Sequence, residues 1–154
     1  MKINELNQGP VIGENARHKG KNLQFEKLLS ELRKRELPDR IVISINKEIE
    51  ELKSLSDSGV GYIRVMTKKQ TGIIRLLEKD LKLVPKNYYR TTWLAIGMAV
   101  FGVPMGVVFG ALFGNMAFMG MGLPIGMSIG IAVGTTMDKK ALEEGRQLDL
   151  EIKY

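Results

Sequence analysis

The chain has no cysteine and only one histidine in its 154 residues. Without cysteine there is no disulfide and no thiolate metal site, and the redox compartment leaves no trace in the sequence. His18 stands alone in a polar segment, so neither a histidine-based metal site nor a nucleophile–histidine pair is expected. The amino-terminal stretch MKINELNQGPVIGENARHKGKN lacks the apolar core of a secretory signal. Within it, GENARHKGKN (Gly13 to Asn22) contains a Gly-Lys pair. The spacing before that pair is too long for a phosphate loop, and Asn22 replaces the hydroxyl that would hold magnesium. No catalytic residue, cofactor or metal is expected, and the chain is not read as an enzyme.

The largest absence is charge. Residues 91–136, 46 in all, carry no Asp, Glu, Lys or Arg, whereas residues 1–90 carry 19 basic against 12 acidic side chains and residues 137–154 carry 4 against 5. The net charge of +6 therefore resides in the amino-terminal part. A single membrane-crossing helix needs roughly 20 apolar residues, so the uncharged run has the length of two spans joined by a tight turn. We read Thr91 to Phe113 as the first span, Met116 to Thr136 as the second, and Gly114-Asn115 as the turn. The competing reading, a buried helical hairpin of a soluble protein, asks a small chain to cover two apolar helices on all sides. The absence of any carboxylate, lysine or arginine within the run argues against proton-coupled transport.

What surrounds the run fits the same topology. Lys86, Tyr88, Tyr89, Arg90 and Trp93 stand at its entry and Lys139 and Lys140 at its exit, the residue types that gather at a membrane interface. With no charge at the turn, the positive-inside rule places both termini in the cytoplasm. The eight basic residues from Arg64 to Arg90, against two acids, suit anionic lipid head groups. Nucleic acid is not an expected partner, since no recognised motif or aromatic platform accompanies the charge.

Residues 1–22 have no apolar periodicity and are expected to be a mobile arm. Residues 23–90 read as a basic cytoplasmic helical domain. Phe25, Leu28, Leu29 and Leu32 share one helical face. After Leu37-Pro38-Asp39, Ile41, Ile45, Ile49 and Leu52 share another, which stops at Ser56-Asp57-Ser58-Gly59. A third helix is expected over Tyr62 to Leu83. Residues 137–154 are expected to form a short helical tail through Glu144. Its end, LDLEIKY, alternates apolar and polar residues; we read it as frayed, with strand addition to a partner as the alternative.

Inside the apolar run one pattern is written twice. FGVPMGVVFGALFGN (Phe101 to Asn115) and MGLPIGMSIGIAVGT (Met121 to Thr135) align without gaps at four glycines and a proline. Gly102, Gly106, Gly110 and Gly114 in the first copy, and Gly122, Gly126, Gly130 and Gly134 in the second, recur every four residues. At 3.6 residues per turn they line one slowly winding stripe without side chains. Glycine costs roughly 1 kcal/mol in a helix relative to alanine, and in lipid it is repaid by close packing of helices. The copies enter the membrane in opposite directions and so form a small inverted repeat. A symmetric turn would set Pro104 opposite Pro124, Gly106 opposite Gly122 and Gly102 opposite Gly126. Each proline removes a backbone donor, freeing the carbonyl of Val100 or Gly120, and favours a kink. The pair of kinks lets two helices bend around each other, or alternatively serves as a gating hinge.

These Gly-x-x-x-Gly-x-x-x-Gly strings resemble the glycine-zipper motif of small bacterial membrane proteins. That resemblance implies homo-oligomers packed through glycine, sometimes lining pores; the doubled zipper joined to a basic domain leads us to expect a bacterial inner-membrane protein. The fold class expected is thus an all-α membrane protein: a cytoplasmic helical domain, a two-helix transmembrane hairpin over 91–136 and a short tail. The function expected is a non-enzymatic protein that self-associates through its zippers and anchors a helical domain for a cytoplasmic protein partner. The alternative is an oligomeric pore or membrane-disrupting effector controlled by that domain.

Overall fold

The computed structural model describes residues 2–6, 16–55 and 61–152. The Ser56 to Gly59 stop, the side chain of His18 and Tyr154 lie outside them. The chain is mostly helical and divides into two compact units, one of residues 1–83 with 148–152 and one of residues 84–147 with 153–154.

The first unit is built on α1 (Ala16–Arg33), α2 (Asp39–Ser54) and α3 (Gly61–Leu81). Each exists because its apolar residues recur at helical spacing. Phe25, Leu28, Leu29 and Leu32 of α1, Ile45, Ile49 and Leu52 of α2, and Met66 and Leu77 of α3 are fully buried. Helix α1 starts before the expected Leu23, because Arg17, Lys19 and Lys21 are good helix formers even without an apolar stripe. The segment 2–6 is not a free arm. Ile3 and Leu6 are buried, the Asn4 amide donates to Asn46 Oδ1 at 2.8 Å, and Arg33 donates to the Asn4 carbonyl at 2.8 Å. Two apolar side chains in a polar context gave no periodicity, so only the folded unit reveals their burial.

Lys69 is held by Glu48 at 2.6 Å and by Glu51. These hydrogen bonds raise the Lys69 pKa, and the bond from Lys69 lowers that of Glu51. Their contribution is therefore present between the two titrations. It fades as pH falls through the lowered carboxyl value and as pH rises through the raised lysine value. Native protein and Lys69→Gln should accordingly differ in unfolding midpoint near neutrality and converge at both extremes. Gln70, on the apolar face of α3, is 2% exposed. Its Oε1 accepts from Gln24 at 3.4 Å, while its Nε2 has no partner among the described residues. An unsatisfied buried donor costs about 1–3 kcal/mol. Gln70→Met should raise stability by about 1 kcal/mol in denaturant titrations; a loss would mean that the amide is satisfied.

The chain continues through β1 (Val84–Lys86), α4 (Tyr88–Gly97), a π-turn (Met98–Gly102), α5 (Val103–Leu112), a 3-10 helix (Met116–Met121) and α6 (Gly122–Glu143) to β2 (Gln147–Glu151). The two short strands pair in a two-stranded sheet. Helix α6 runs to Glu143 with Glu144 at its cap, as expected, and only the frayed end beyond it is corrected. Gly145, at φ +67°, ends α6; the Gly145 and Arg146 amides donate to the carbonyls of Leu142 and Ala141, and the chain then extends as a strand with Leu148 and Leu150 buried. Alternation of apolar and polar residues marks a half-buried strand, and here burial decides between strand and frayed end.

Candidate functional site: the glycine-packed hairpin

The second unit places its small residues inside and its large ones outside. In the apolar part of α5 and α6 the buried residues are Gly106, Gly110, Gly122, Gly126, Gly130 and Gly134. Val100, Val103, Val107, Val108, Leu112 and Phe113 are all more than half exposed. The two apolar helical stretches, Tyr88–Leu112 and Met116–Glu143, are long and apolar enough to cross a membrane. Only 22% and 17% of the residues in their most apolar windows are buried, which is not the pattern of helices in a water-soluble core.

The glycines face the other helix of the same hairpin. A Cβ added to Gly126 would lie 2.5 Å from the Gly97 carbonyl oxygen and 2.6 Å from Gly102 Cα. One on Gly122 would lie 2.6 Å from Gly106 Cα, and one on Gly134 would lie 2.5 Å from Arg90 Cα. In each case the obstacle is backbone, which cannot rotate away. Helix approach this close gives the van der Waals contact that holds apolar helices together where the hydrophobic effect gives little.

The register keeps the facing pairs expected of a symmetric turn, Gly106 with Gly122 and Gly102 with Gly126. Gly122 faces the segment from Gly102 to Gly106, and Gly126 faces that from Gly97 to Gly102. Gly122 and Gly126 each also touch a second glycine of the first helix, Gly102 and Gly97 respectively. Gly97 joins the stripe although it stands five residues from Gly102, outside the spacing of four that the other glycines keep. Five residues of regular α-helix would turn it well off the face. The π-turn at Met98–Gly102, in which the Val103 amide reaches back to the Met98 carbonyl, absorbs the extra residue and restores alignment. The nearby signal was Pro104, whose missing N–H loosens the i to i−4 ladder at this point. Pro124, by contrast, lies in the first turn of α6, just after the 3-10 segment, where a missing donor costs little.

Gly114 leaves the packing stripe. At φ +62° it ends α5, and a Cβ there would meet nothing within 4 Å. The amides of Gly114 and Asn115 donate to the carbonyls of Ala111 and Gly110. The Asn115 side chain then accepts from the Ala117 amide at 2.9 Å, starting the 3-10 helix. The nearest neighbours of a Cβ at Gly110 are the Met119 and Met116 side chains and, farther off, the Asn115 carbonyl.

At the other end of the hairpin, the first helix begins at Asn87, in the left-handed region at φ +59°, without a side-chain cap of its own. The acceptor comes from α6. Buried Asp138 takes the Tyr89 amide on Oδ1 at 3.0 Å and the Arg90 amide on Oδ2 at 2.9 Å. A carboxylate at a helix amino terminus satisfies orphan donors and opposes the positive end of the helix dipole. This residue escaped the sequence reading; its only local signal is an acid beside Lys139 at the edge of the apolar run. Of the expected interface residues, Lys86, Arg90, Lys139 and Lys140 are exposed, while Tyr88 and Trp93 are partly buried. Tyr89 is buried with Val84 and Ala141, and Tyr88, Trp93 and Met137 pack against that cluster. Tyr89 therefore serves helix packing.

Three hydroxyls in the apolar run, of Thr92, Ser128 and Thr136, donate to carbonyls of their own helices. Ser128 donates to the Pro124 carbonyl at 2.8 Å and Thr136 to the Ala132 carbonyl at 2.9 Å. Among the described residues no group of His, Cys, Asp and Glu is arranged to hold a metal. No protein family, curated protein or solved structure matches this chain.

Proposed function

We propose that this chain is a non-enzymatic integral membrane protein whose glycine-packed hairpin anchors a helical interaction unit at the cytoplasmic face. The observation that carries this reading is the inside-out hairpin, with glycines buried and valine, leucine and phenylalanine facing outward. Such a surface is stable only in an apolar solvent. Basic residues at both ends and an uncharged turn support cytoplasmic termini. In this reading the glycine stripes hold one hairpin together, and their filled faces leave self-association between subunits to other surfaces. The hydroxyls of Thr92, Ser128 and Thr136 are spent on backbone carbonyls rather than offered to a water-filled pore, which favours an anchor over a channel.

Reconstitution into dye-loaded vesicles tests this directly. The protein should stay with the lipid through an alkaline carbonate wash without releasing dye. Release of protein by carbonate would overturn the membrane reading, and release of dye would favour the pore.

A further inference from the structure

The outer face of α3 carries charge that the fold does not use. At about 100° per residue, Arg64, Lys68, Arg75 and Lys79 fall within an arc of about 60°. All four are exposed, and the buried residues Met66, Gln70, Ile73, Ile74 and Leu77 lie on the opposite side. Gly72 falls beside that arc, with open space where a side chain would be. Neighbouring acids are already engaged, Glu78 with Lys82 at 4.0 Å and Asp80 with Arg40. Lys69, off the stripe, is held by Glu48 and Glu51. Among the described residues the four stripe cations make no ion pair.

We infer that this stripe docks on the anionic head groups of the membrane that holds the hairpin, an inference that rests on the membrane reading above. The shape of the stripe and its tether select this occupant. The stripe is straight, about 22 Å long at 1.5 Å per residue, and single-signed, which matches an extended anionic surface. It is also tethered: α3 ends at Leu81 and the apolar helix begins at Tyr88, so the linking residues 82–87 span at most about 20 Å. Positive-inside topology puts that tether on the leaflet where anionic lipids attract basic segments. Each cation brought to such a surface shifts the docked population about fivefold, and salt screens the effect.

The test uses the full chain reconstituted in vesicles of phosphatidylcholine, alone or mixed with phosphatidylglycerol. Lysine acetylation is read residue by residue by mass spectrometry. Lys68 and Lys79 should be labelled several-fold more slowly in the anionic vesicles, while exposed Lys47 on α2 serves as the reference and stays unchanged. High salt should restore the labelling. The double substitution Arg64→Gln, Arg75→Gln should restore it too, through a loss of roughly 25-fold in the docked ratio. Equal labelling in both vesicles, with the protein resisting carbonate, would overturn lipid docking and leave the membrane reading intact. Loss of the protein to the carbonate wash would overturn both. Protection by added single-stranded RNA and not by anionic lipid would replace lipid with nucleic acid as the partner.

Discussion

Gly126→Leu is expected to drive the two apolar helices apart. The substituted Cβ would lie 2.5 Å from the Gly97 carbonyl oxygen and 2.6 Å from Gly102 Cα, and neither can yield unless a helix moves. Overpacking a tight interior costs about 1–3 kcal/mol even when neighbours can adjust, and a leucine against backbone belongs at or above the top of that range. Gly126→Ala should show the same effect in weaker form. Gly110→Ala should be nearly silent, since its nearest neighbour is the flexible side chain of Met119, 3.0 Å from the new Cβ. The chain has no native cysteine, so spin labels on Thr92→Cys and Thr135→Cys report one distance without background. A narrow distribution in the parent should become long and broad with Gly126→Leu. An unchanged distance would refute close packing at this glycine.

Asp138→Ala should release the start of the first apolar helix. Two backbone amides, of Tyr89 and Arg90, lose a buried charged acceptor, and Asn87 makes no side-chain cap in its place. Hydrogen bonds to a charged group are worth about 1.5–3 kcal/mol, so a loss of about 2–3 kcal/mol is expected, with Asp138→Asn losing less because one acceptor remains. Since 1.4 kcal/mol is tenfold, hydrogen exchange at the Tyr89 and Arg90 amides should accelerate by roughly a hundredfold in the alanine variant. Unaltered exchange there would show that the cap is dispensable.

The helical stripes of the first unit were legible because periodicity is local. Phe25, Leu28, Leu29 and Leu32, then Ile41, Ile45, Ile49 and Leu52, repeat at the spacing of one helix face, and all are buried. The short strand at Gln147–Glu151 was half legible. Its alternation suggests a strand, but only burial of Leu148 and Leu150 separates that from a frayed end. Ile3 and Leu6 were invisible because two apolar residues in a polar stretch make no pattern.

The sequence by itself determined the extent of the apolar run, its two glycine stripes and the place of its turn, all carried by neighbours within a few residues of one another. The tertiary structure alone decided that the glycines meet within one hairpin and that Gly97 joins them. It also decided that Asp138 caps a helix whose amides lie 48 and 49 residues away. Close helix approach and capping between distant segments depend on how near two backbones come, and no spacing within either segment encodes that distance.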